Sequence, residues 1–484
     1  MKKNIRTRVG PSPTGDPHVG TAYIALFNYA FVKKYNGQLI IRIEDTDQIR
    51  SSKMSELNIL KYLKWLKLDW NEGPDKGGKF PPYRQSLRTN IYTYYAQNMV
   101  DNGFAYWCSC SQERLKSLRF QQKANGISPM YDKYCLNKNK KTVVQEILRS
   151  NSNGVIRLNI PKDQQTEFYD IIRGKITIKN ITIDDQVLIK QDGFPTYHLA
   201  NVIDDHLMNI THVIRGDEWI NSTAKHIIIY NALGLDIPYF CHLPLLRMPD
   251  NSKISKRNNV SSLEYYKRNG ILPESLNNFL GLFAFPLQSN KELFSIDEFI
   301  HNFSLQNISL GSPIFNLTKL MWLNGRYIRE KVSEEYITKY IVNNFFSVTY
   351  LKKIIPLVRD RIEKYDDFFS YSEFFFRIDV KVKNYHSYLI ETATTSETVS
   401  IYTNLIVELS SLDVFSSRNI ESAFINVSEK HNIQKKYLLI SIRLAVTAAS
   451  QAPPLFLTMS ILGKNICSHR IRKVLDILKS NVNK

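Results

Sequence analysis

The spacing of apolar residues at the start of the chain predicts a strand, a loop and a helix. Residues 5–9 alternate between apolar and polar as a strand does, and residues 10–21 are rich in Gly and Pro, which favour turns. Apolar residues then recur at helical spacing at Ala22, Ala25, Leu26 and Tyr29. In a parallel sheet such a loop lies at the carboxyl end of its strand, where ligands collect. The pattern therefore predicts a βα unit whose loop is a candidate ligand site.

A second unit of the same kind follows. The apolar-rich run at residues 37–43 ends in Glu44, Asp45 and Asp47, so we expect a second parallel strand with carboxylates at its carboxyl end. Residues 53–68 predict a helix from five apolar positions: Met54, Leu57, Leu60, Leu63 and Leu66. A Tyr-rich helix is predicted at about residues 86–102, which completes the opening of an α/β domain.

The pattern changes beyond residue 104 to short β-like runs, the clearest at residues 155–160 and 175–183. A basic segment lies among these runs. We interpret residues 105–190 as a domain inserted into the first one.

Sheet signals return at residues 187–190 and 212–215, joined through the connection 194–201. The first domain is therefore expected to be Rossmann-like and split in sequence, over residues 1–104 and 191–250.

The pattern beyond Pro249 is helical almost to the end of the sequence. The last helix is predicted to pack into a core through one apolar face, formed by Ile471, Val474, Leu475 and Leu478.

The charge balance points to a polyanionic partner. Lys and Arg number 64 against 45 Asp and Glu, a net charge of +19, and nucleic acid or an anionic membrane would suit this surplus. No apolar run reaches the roughly 18 residues that span a bilayer, and no apolar segment of a secretory signal follows Met1, so no membrane association is expected. A lysine-rich soluble surface would explain the charge equally well.

Five cysteines, an odd number, indicate reduced thiols in a cytosol-like compartment.

The first loop is a candidate phosphate cradle. The start of a helix offers unpaired N–H groups to an anion, Gly15 and Gly20 let the backbone approach it, and His18 adds a donor. The loop matches neither the Walker pattern nor GxGxxG. Taken alone, it is more simply an ordinary βα turn with a solvent-facing His.

A second loop at residues 253–257, Lys-Ile-Ser-Lys-Arg, carries three cations in five residues. Such a loop suits a triphosphate, although a charge run by itself is more often a solvated face. Together with residues 11–20, Pro-Ser-Pro-Thr-Gly-Asp-Pro-His-Val-Gly, it resembles the two signatures of class I aminoacyl-tRNA synthetases.

Further motifs narrow the resemblance. The first loop and residues 42–47, 83–86, 195–201 and 309–315 closely resemble glutamyl-tRNA synthetases of bacterial type, from about residue 5 to 330 and more loosely to the end. The resemblance implies a Rossmann-like catalytic domain with residues 105–190 inserted to bind the tRNA acceptor end. It also implies a stem-contact domain at residues 251–325 and an all-helical anticodon-binding region at residues 326–484.

The resemblance assigns a glutamate pocket to six residues: Arg8, Ser12, Glu44, Tyr197, Asn201 and Arg215. An acidic side chain needs forked donors, which Arg8 and Arg215 supply. Glu44 would bind the ammonium group of the substrate. Without the resemblance, Arg215 is explained equally well as one partner of a structural ion pair.

The resemblance also implies an ATP site and the catalytic set His18, Gly20, Lys253 and Lys256. His18 would donate to phosphate, Lys256 would meet the phosphates as the mobile loop closes, and Glu218 would contact ATP or substrate. Mg²⁺ is implied with ATP, without an evident protein ligand. For Asp204-Asp205-His206 we expect a structural or substrate-orienting role rather than a metal site, because adjacent strand residues point to opposite faces.

A cysteine cluster matches a zinc pattern seen in some relatives. It consists of Cys108, Cys110 and Cys135, and the position that completes it with His in those relatives is Asn137 here. A structural zinc usually has four ligands. Either Tyr131 stands in as the fourth ligand, as related enzymes suggest, or the metal has been lost, which is the outcome we expect.

Arg359 and Arg361 are the candidates for reading the anticodon. Arg361 aligns with the position at which glutamate-specific relatives carry an Arg that favours a glutamate anticodon over a glutamine one. Arginine suits base-edge or phosphate contacts. The alternative for both is an ordinary surface Arg.

The combined expectation is a cytoplasmic, monomeric enzyme that activates glutamate with ATP and transfers it to tRNA(Glu). One alternative is a non-discriminating enzyme that also charges tRNA(Gln). Another, of a different class, is a non-catalytic tRNA-binding relative, although such a protein should have lost His18 or Lys256 and both are present.

Overall fold

The computed structural model describes residues 4–149, 154–252, 261–283, 291–311, 313–382, 384–449 and 452–482. It divides into two compact units, Met1–Tyr327 and Ile328–Lys484. The predicted basic loop, including Lys253 and Lys256, lies outside the described residues.

The first unit opens with the predicted βα units. The strands β1 (Arg6–Val9) and β2 (Gln38–Ile41) pair in parallel, and the helix α1 (Val19–Lys34) connects them. The helices α2 (Lys53–Trp65) and α3 (Thr89–Asp101) confirm the next two predictions.

The apolar positions predicted for α2 are only partly buried. Leu60, Leu63 and Leu66 are buried, whereas Met54 and Leu57 are 67% and 51% exposed. A spacing of three residues lags behind the 3.6 residues of a helical turn, so the stripe rotates from solvent into the core along the helix.

A second pair of parallel strands follows the inserted segment. The strands β8 (His212–Gly216) and β9 (Tyr239–Leu243) are parallel to each other, and the helix α7 (Ile220–Ala232) connects them. The Thr211 N–H donates to the Arg6 carbonyl at 2.9 Å, which places the start of β8 beside β1. The halves of the predicted Rossmann-like domain are thus joined.

The inserted segment contains a small antiparallel sheet and two helices. The sheet has the order β3 (Ala105–Cys108), β4 (Val155–Leu158) and β7 (Val187–Ile189), and the helices are α4 (Gln112–Ala124) and α5 (Lys140–Arg149). The predicted strand at 187–190 is present, but it pairs with β4 and not with β8, because a periodic pattern does not specify a partner strand.

A hairpin of the inserted segment extends the sheet of the first domain. Its strands are β5 (Gln165–Asp170) and β6 (Gly174–Lys179), and β5 pairs in parallel with β9 at Asp170 and Phe240. This pairing brings Asp170 to the edge of the first domain.

The connection predicted at 194–201 contains the start of the helix α6 (Tyr197–Leu207), to which the sequence pattern assigned no element. Pro195 and Thr196 precede it and are compatible with either a turn or a helix start. Leu199, Ala200 and Ile203 are fully buried, so packing decides for the helix.

The remainder of the first unit is helical. It contains α8 (Leu263–Arg268), α9 (Pro273–Leu282), α10 (Ile296–Asn302) and most of α11 (Leu317–Lys331). The Phe27 ring of α1 meets Phe299 and Phe303 edge-on, with ring centroids 5.7 and 5.6 Å away.

The second unit has no strand among its described residues, which confirms the all-helical prediction. Its helices are α12 (Glu334–Asn344), α13 (Val348–Val358), α14 (Asp367–Ser372), α15 (Thr395–Ser411), α16 (Ser417–Lys430), α17 (Lys435–Thr447), α18 (Leu455–Leu462) and α19 (Lys464–Lys479). The predicted apolar face of α19 is buried in the core.

A buried arginine ties α19 to the rest of the second unit. The Arg470 guanidinium donates to the carbonyls of Phe374 and Arg377 at 2.7 Å, to that of Ile378 at 2.9 Å and also to that of Val446. Burial lowers the pKa of Arg470 to about 10.

None of the helices in the described parts of the chain is long and apolar enough to cross a bilayer.

Candidate functional site

A cavity of about 500 Å³ opens at the carboxyl ends of β1 and β8. Its lining includes eight residues predicted for the site: Arg8, Ser12, His18, Gly20, Glu44, Tyr197, Arg215 and Glu218. The rule that parallel strands present ligand-binding residues at one edge explains why segments so distant in sequence meet here.

A network of buried charged side chains adjoins this cavity, and two of its members, Arg8 and Glu44, also line it. Asp205 accepts from the Arg8 Nε at 3.1 Å and from the Arg42 Nη1 at 2.7 Å, and Arg42 also donates to Glu44 at 3.1 Å. Although burial favours the neutral acid, the two guanidiniums hold the pKa of Asp205 below its ordinary value. For Glu44 burial prevails, and it raises the pKa of that carboxyl.

Asn201 belongs to this network. With its amide oxygen turned towards the guanidiniums it accepts from Arg8 at 3.2 Å and from Arg42 at 3.1 Å, while its nitrogen donates to Asp205 at 3.1 Å. Asn201 therefore fixes the guanidinium of Arg8 by a hydrogen bond, although Asn201 is not itself among the residues that line the cavity.

The neighbouring Asp204 shares Arg42 with Asp205, at 3.8 Å, and has further partners of its own. Asp204 accepts from Arg88 at 2.7 Å, from Gln85 at 3.0 Å and from the Tyr92 hydroxyl at 2.8 Å. The expectation that adjacent residues face opposite sides of a strand is wrong, because both lie on α6, where neighbours are about 100° apart. The structural role predicted for them nevertheless fits these contacts.

Arg215 is a buried cation with neutral partners. It donates to the Tyr197 hydroxyl at 3.1 Å, to Thr223 at 2.7 Å and to the His242 Nε2 at 3.2 Å, and it lies 3.4 Å from the His226 Nδ1. Among the described residues no carboxylate lies within ion-pair distance of it. The structural ion pair considered for Arg215 is thus not found in the part of the chain that the structure describes.

Sequence reasoning missed the residues around Arg215. Trp219 packs against Tyr197 with ring centroids 4.3 Å apart and ring planes tilted by 37°, and the His242 Nδ1 donates to Asp170 at 2.7 Å. No local pattern marks these residues, because they come from separate segments that meet only through long-range strand pairing.

His18 caps the first turn of α1. Its Nδ1 accepts from the Gly20 N–H at 2.9 Å, so the proton of the neutral ring sits on Nε2 and makes that atom a donor. A Cβ on Gly20 would lie only 3.0 Å from the imidazole. The Leu263 N–H donates to the Pro17 carbonyl at 3.0 Å, which holds the start of α8 against this loop.

Gly10 allows the carboxylate of Glu44 to lie against the backbone of the first loop. A Cβ built on Gly10 would be 2.2 Å from the Glu44 Oε1, far inside van der Waals contact. Any side chain at position 10 must therefore displace Glu44.

The three predicted cysteines and Tyr131 lie together. The sulfurs of Cys108, Cys110 and Cys135 are all within 4.8 Å of one another, and the Tyr131 hydroxyl is 3.4 Å from Cys108 and 3.3 Å from Cys110. A tetrahedral Zn²⁺ with Zn–S distances of about 2.3 Å places its sulfurs about 3.8 Å apart, and the sulfurs of Cys110 and Cys135 lie 3.5 Å apart. All five cysteines of the chain are free thiols, as the odd count predicted.

Arg359 and Arg361 lie in the second unit, in the short 3-10 helix Arg359–Arg361 that follows α13. Both are exposed, and Arg359 is 3.5 Å from its neighbour Asp360. Their side chains are accessible to a large ligand.

Two family descriptions match the chain. The one described as tRNA synthetases class I (E and Q), catalytic domain, matches residues 4–322, and the one described as anticodon binding domain matches residues 330–475.

Curated relatives match over nearly the full length. The chain is 44% identical over 476 residues to the glutamate–tRNA ligase of Marinomonas sp. (strain MWYL1), covering 98% of this chain and 96% of the relative. It is 40% identical over 474 residues to that of Psychrobacter cryohalolentis, covering 98% and 92%. A crystal structure of a glutamate tRNA ligase from Elizabethkingia meningosepticum in complex with its amino acid has a TM-score of 0.66 and 32% identity, covering 98% of this chain and 100% of that one.

We expect the first unit to lose stability as the pH falls from about 6.5 to about 4. Burial lowers the pKa of His212 and His242 to about 4 and that of His198 to about 3. In the unfolded chain the same rings take up protons near pH 6.5. The unfolded state then binds more protons, so the free energy of unfolding falls by up to about 1.4 kcal/mol per pH unit for each such ring.

Urea unfolding at a series of pH values, followed by Trp fluorescence, measures this effect. All five Trp residues lie in the first unit, so the signal reports that unit alone. The variant His212→Phe lacks one of these rings and should show a shallower slope. A free energy of unfolding that does not change over this pH range would contradict the expectation.

Proposed function

The chain belongs to the class I tRNA synthetases for glutamate and glutamine, and from this premise we propose how its residues carry out the work of a glutamate–tRNA ligase. The reaction couples ATP to glutamate, which gives glutamyl-adenylate and pyrophosphate, and the acyl group then passes to the 3′ end of tRNA(Glu). No covalent enzyme intermediate is needed. Catalysis comes mainly from positioning and from stabilisation of charge at the α-phosphoryl group.

The observation that best supports this proposal is the charge pattern of the cavity. Its lining combines Arg215, a buried cation for which no acidic partner is found in the described ranges, with the buried carboxylate Glu44. A ligand with a carboxylate at one end and an ammonium group at the other suits both. The side-chain carboxylate of glutamate would bind Arg215 and the Tyr197 hydroxyl, and its ammonium group would bind Glu44.

Arg8 has a different role from Arg215. Asp205 already compensates its charge, so Arg8 would supply directed donors to glutamate rather than an unbalanced charge. Ser12 lines the same cavity and would add a hydroxyl, while Asn201 would act on glutamate through Arg8.

The nucleotide would bind at the start of α1. The Nε2 proton of His18 and the first N–H groups of the helix would face the phosphates. A side chain at Gly20 would crowd the His18 imidazole, and Glu218 lines the same cavity. Lys253 and Lys256, which lie outside the described residues, would add positive charge, and Mg²⁺ would accompany ATP.

The tRNA would contact the chain along its length. The net charge of +19 suits a polyanion, and α4 in the inserted segment has no buried residue and carries Lys116, Arg119 and Lys123 on exposed positions. We propose residues 105–190 for the acceptor end and residues 251–325 for the stem. Residues 326–484 would hold the anticodon, with Arg359 and Arg361 accessible to its bases.

Against the expectation from the sequence that the metal has been lost, we propose that the cysteine cluster holds a structural zinc, because its sulfurs and the Tyr131 hydroxyl lie together. Cys108, Cys110, Cys135 and Tyr131 together offer three sulfurs and one oxygen, which is the number of ligands such a site requires. The metal would brace the inserted segment and would take no part in the reaction. We place the enzyme in the cytoplasm as a monomer, as the resemblance implies.

Replacing Gly10 by Ala should selectively weaken glutamate binding. The added methyl group displaces Glu44, so the KM for glutamate should rise by about tenfold or more while the KM for ATP changes little. ATP–pyrophosphate exchange with glutamate, in the presence of tRNA, measures both values. Gly311→Ala is the control, because its Cβ would make only an ordinary contact at 3.7 Å. The absence of exchange in the unmodified protein would contradict the enzyme function itself.

Charging of both tRNAs tests the anticodon proposal and the non-discriminating alternative. The variant Arg361→Gln should raise charging of tRNA(Gln) relative to tRNA(Glu), because it replaces a cation by an amide where the anticodon is read. Arg418→Gln changes another exposed Arg of the same unit and should leave the ratio unaltered. An unchanged ratio in Arg361→Gln would remove the assignment, and efficient charging of tRNA(Gln) by the unmodified protein would favour the alternative.

Metal analysis of the purified protein tests the zinc proposal. We expect about one zinc per chain, and we expect Tyr131→Phe to weaken its binding by at least about tenfold. Cys467→Ser, which alters a buried thiol of the second unit, should leave the zinc content unchanged. A protein produced with zinc in the medium and found without it would contradict the proposal.

A further inference from the structure

The guanidinium of Arg215 is held by a set of side chains that the reaction itself does not use. Thr223, His226 and His242 contact it from behind the cavity, and none of them lines that cavity. What these side chains have in common is that they accept hydrogen bonds without carrying a negative charge.

Asp170 determines the tautomer of His242. Its carboxylate accepts from the His242 Nδ1 at 2.7 Å and from the His242 backbone N–H at 2.9 Å. The ring proton therefore sits on Nδ1, and the lone pair on Nε2 faces the Arg215 Nε at 3.2 Å. Burial lowers the pKa of His242 to about 4, so the ring stays neutral near pH 7.

His226 is oriented in a similar way. Its Nδ1 faces Arg215 at 3.4 Å, and its Nε2 lies 3.2 Å from the His198 Nδ1. Burial and the charge of Arg215 lower the pKa of His226 well below its ordinary value. A neutral His226 accepts from Arg215 on one side and donates to His198 on the other.

Asp170 is itself fixed at the end of β5. Its second carboxylate oxygen accepts from the N–H groups of Ile172 and Arg173, each at 3.1 Å, and its backbone pairs with Phe240 of β9. A carboxylate held at both oxygens cannot rotate away from His242. The position of Arg215 is thereby tied to the hairpin β5–β6 of the inserted segment.

We propose that Asp170 and His242 are positioning residues that aim the Arg215 guanidinium into the cavity without neutralising it. This inference rests on the proposed function and deepens it, because it assigns the compensation of the Arg215 charge to the side-chain carboxylate of the substrate. The amide of glutamine carries no charge and leaves the buried cation uncompensated. The acceptors behind Arg215 thus contribute to the preference for glutamate over glutamine.

Two variants at one position test the proposal in the full-length protein with tRNA present. His242→Asn can keep the hydrogen bond to Asp170 but is too short to reach Arg215, whereas His242→Gln restores an acceptor near the position of Nε2. We expect His242→Asn to raise the KM for glutamate by about tenfold or more, with the KM for ATP changed by less than about twofold. His242→Gln should recover most of the loss, and discrimination against free glutamine should fall in the Asn variant only.

His242→Phe provides the same test should the Asn variant not fold, because its ring can pack on Phe168 and Phe240 as the imidazole does. The matched control is His212→Phe. His212 is a half-buried histidine of β8 with its ring 4.8 Å from that of Phe31 and 5.1 Å from that of Tyr239, outside the group that holds Arg215. The variant His212→Phe should leave the KM for glutamate unchanged.

Three results would overturn the positioning role. They are an unchanged KM for glutamate in a folded His242→Asn protein, equal increases in the KM for glutamate and for ATP, and no recovery in His242→Gln. Failure of the proposed function is distinguishable from these, because the unmodified protein would then show no glutamate-dependent exchange at all.

Discussion

The structure of the first unit depends on the shared hydrogen bonds between Asp205 and the guanidiniums of Arg8 and Arg42. Three ionic groups that would each be costly to bury alone compensate one another in a place from which water is excluded. They also come from β1, the end of β2 and α6, so that this contact brings together three segments of the chain. Glu44 and Asp204 also lie within ion-pair distance of Arg42, so removal of Asp205 deprives Arg8 above all of its ion-pair partner, a change of the order of 3–5 kcal/mol.

The two arginines of the cavity show how one residue type serves two purposes. Arg8 lies against Asp205, whereas Arg215 is surrounded by Tyr197, Thr223 and two neutral histidines. A cation with an acidic partner contributes geometry, and one with only neutral partners also attracts an anion. Both side chains are arginines, so the residue type alone does not predict this difference. The side chains that surround each guanidinium determine it.

Local patterns predicted the elements, and a general rule of parallel sheets predicted the meeting of the site residues. The first loop and Glu44 follow strands and Arg215 lies near the carboxyl end of β8, so their convergence was foreseeable. The start of α6 was not foreseeable. Pro195 and Thr196 fit a turn as well as a helix start, and only the burial of the residues that follow them selects the helix. Asp170 and His242 could not be predicted either, because the pairing of β5 with β9 links positions far apart in sequence and leaves no periodic signal.

The four carbonyls bound by Arg470 have a consequence for how the protein is made. They belong to Phe374, Arg377, Ile378 and Val446, and no other group of the second unit is placed to satisfy them in the same way among the bonds that the described residues form. A ribosome delivers the chain from its amino end, and the first unit has all of its sheet by β9. In the second unit, by contrast, the donor for these four carbonyls is made only when synthesis reaches Arg470, so the bonds that tie α19 to the rest of that unit form late.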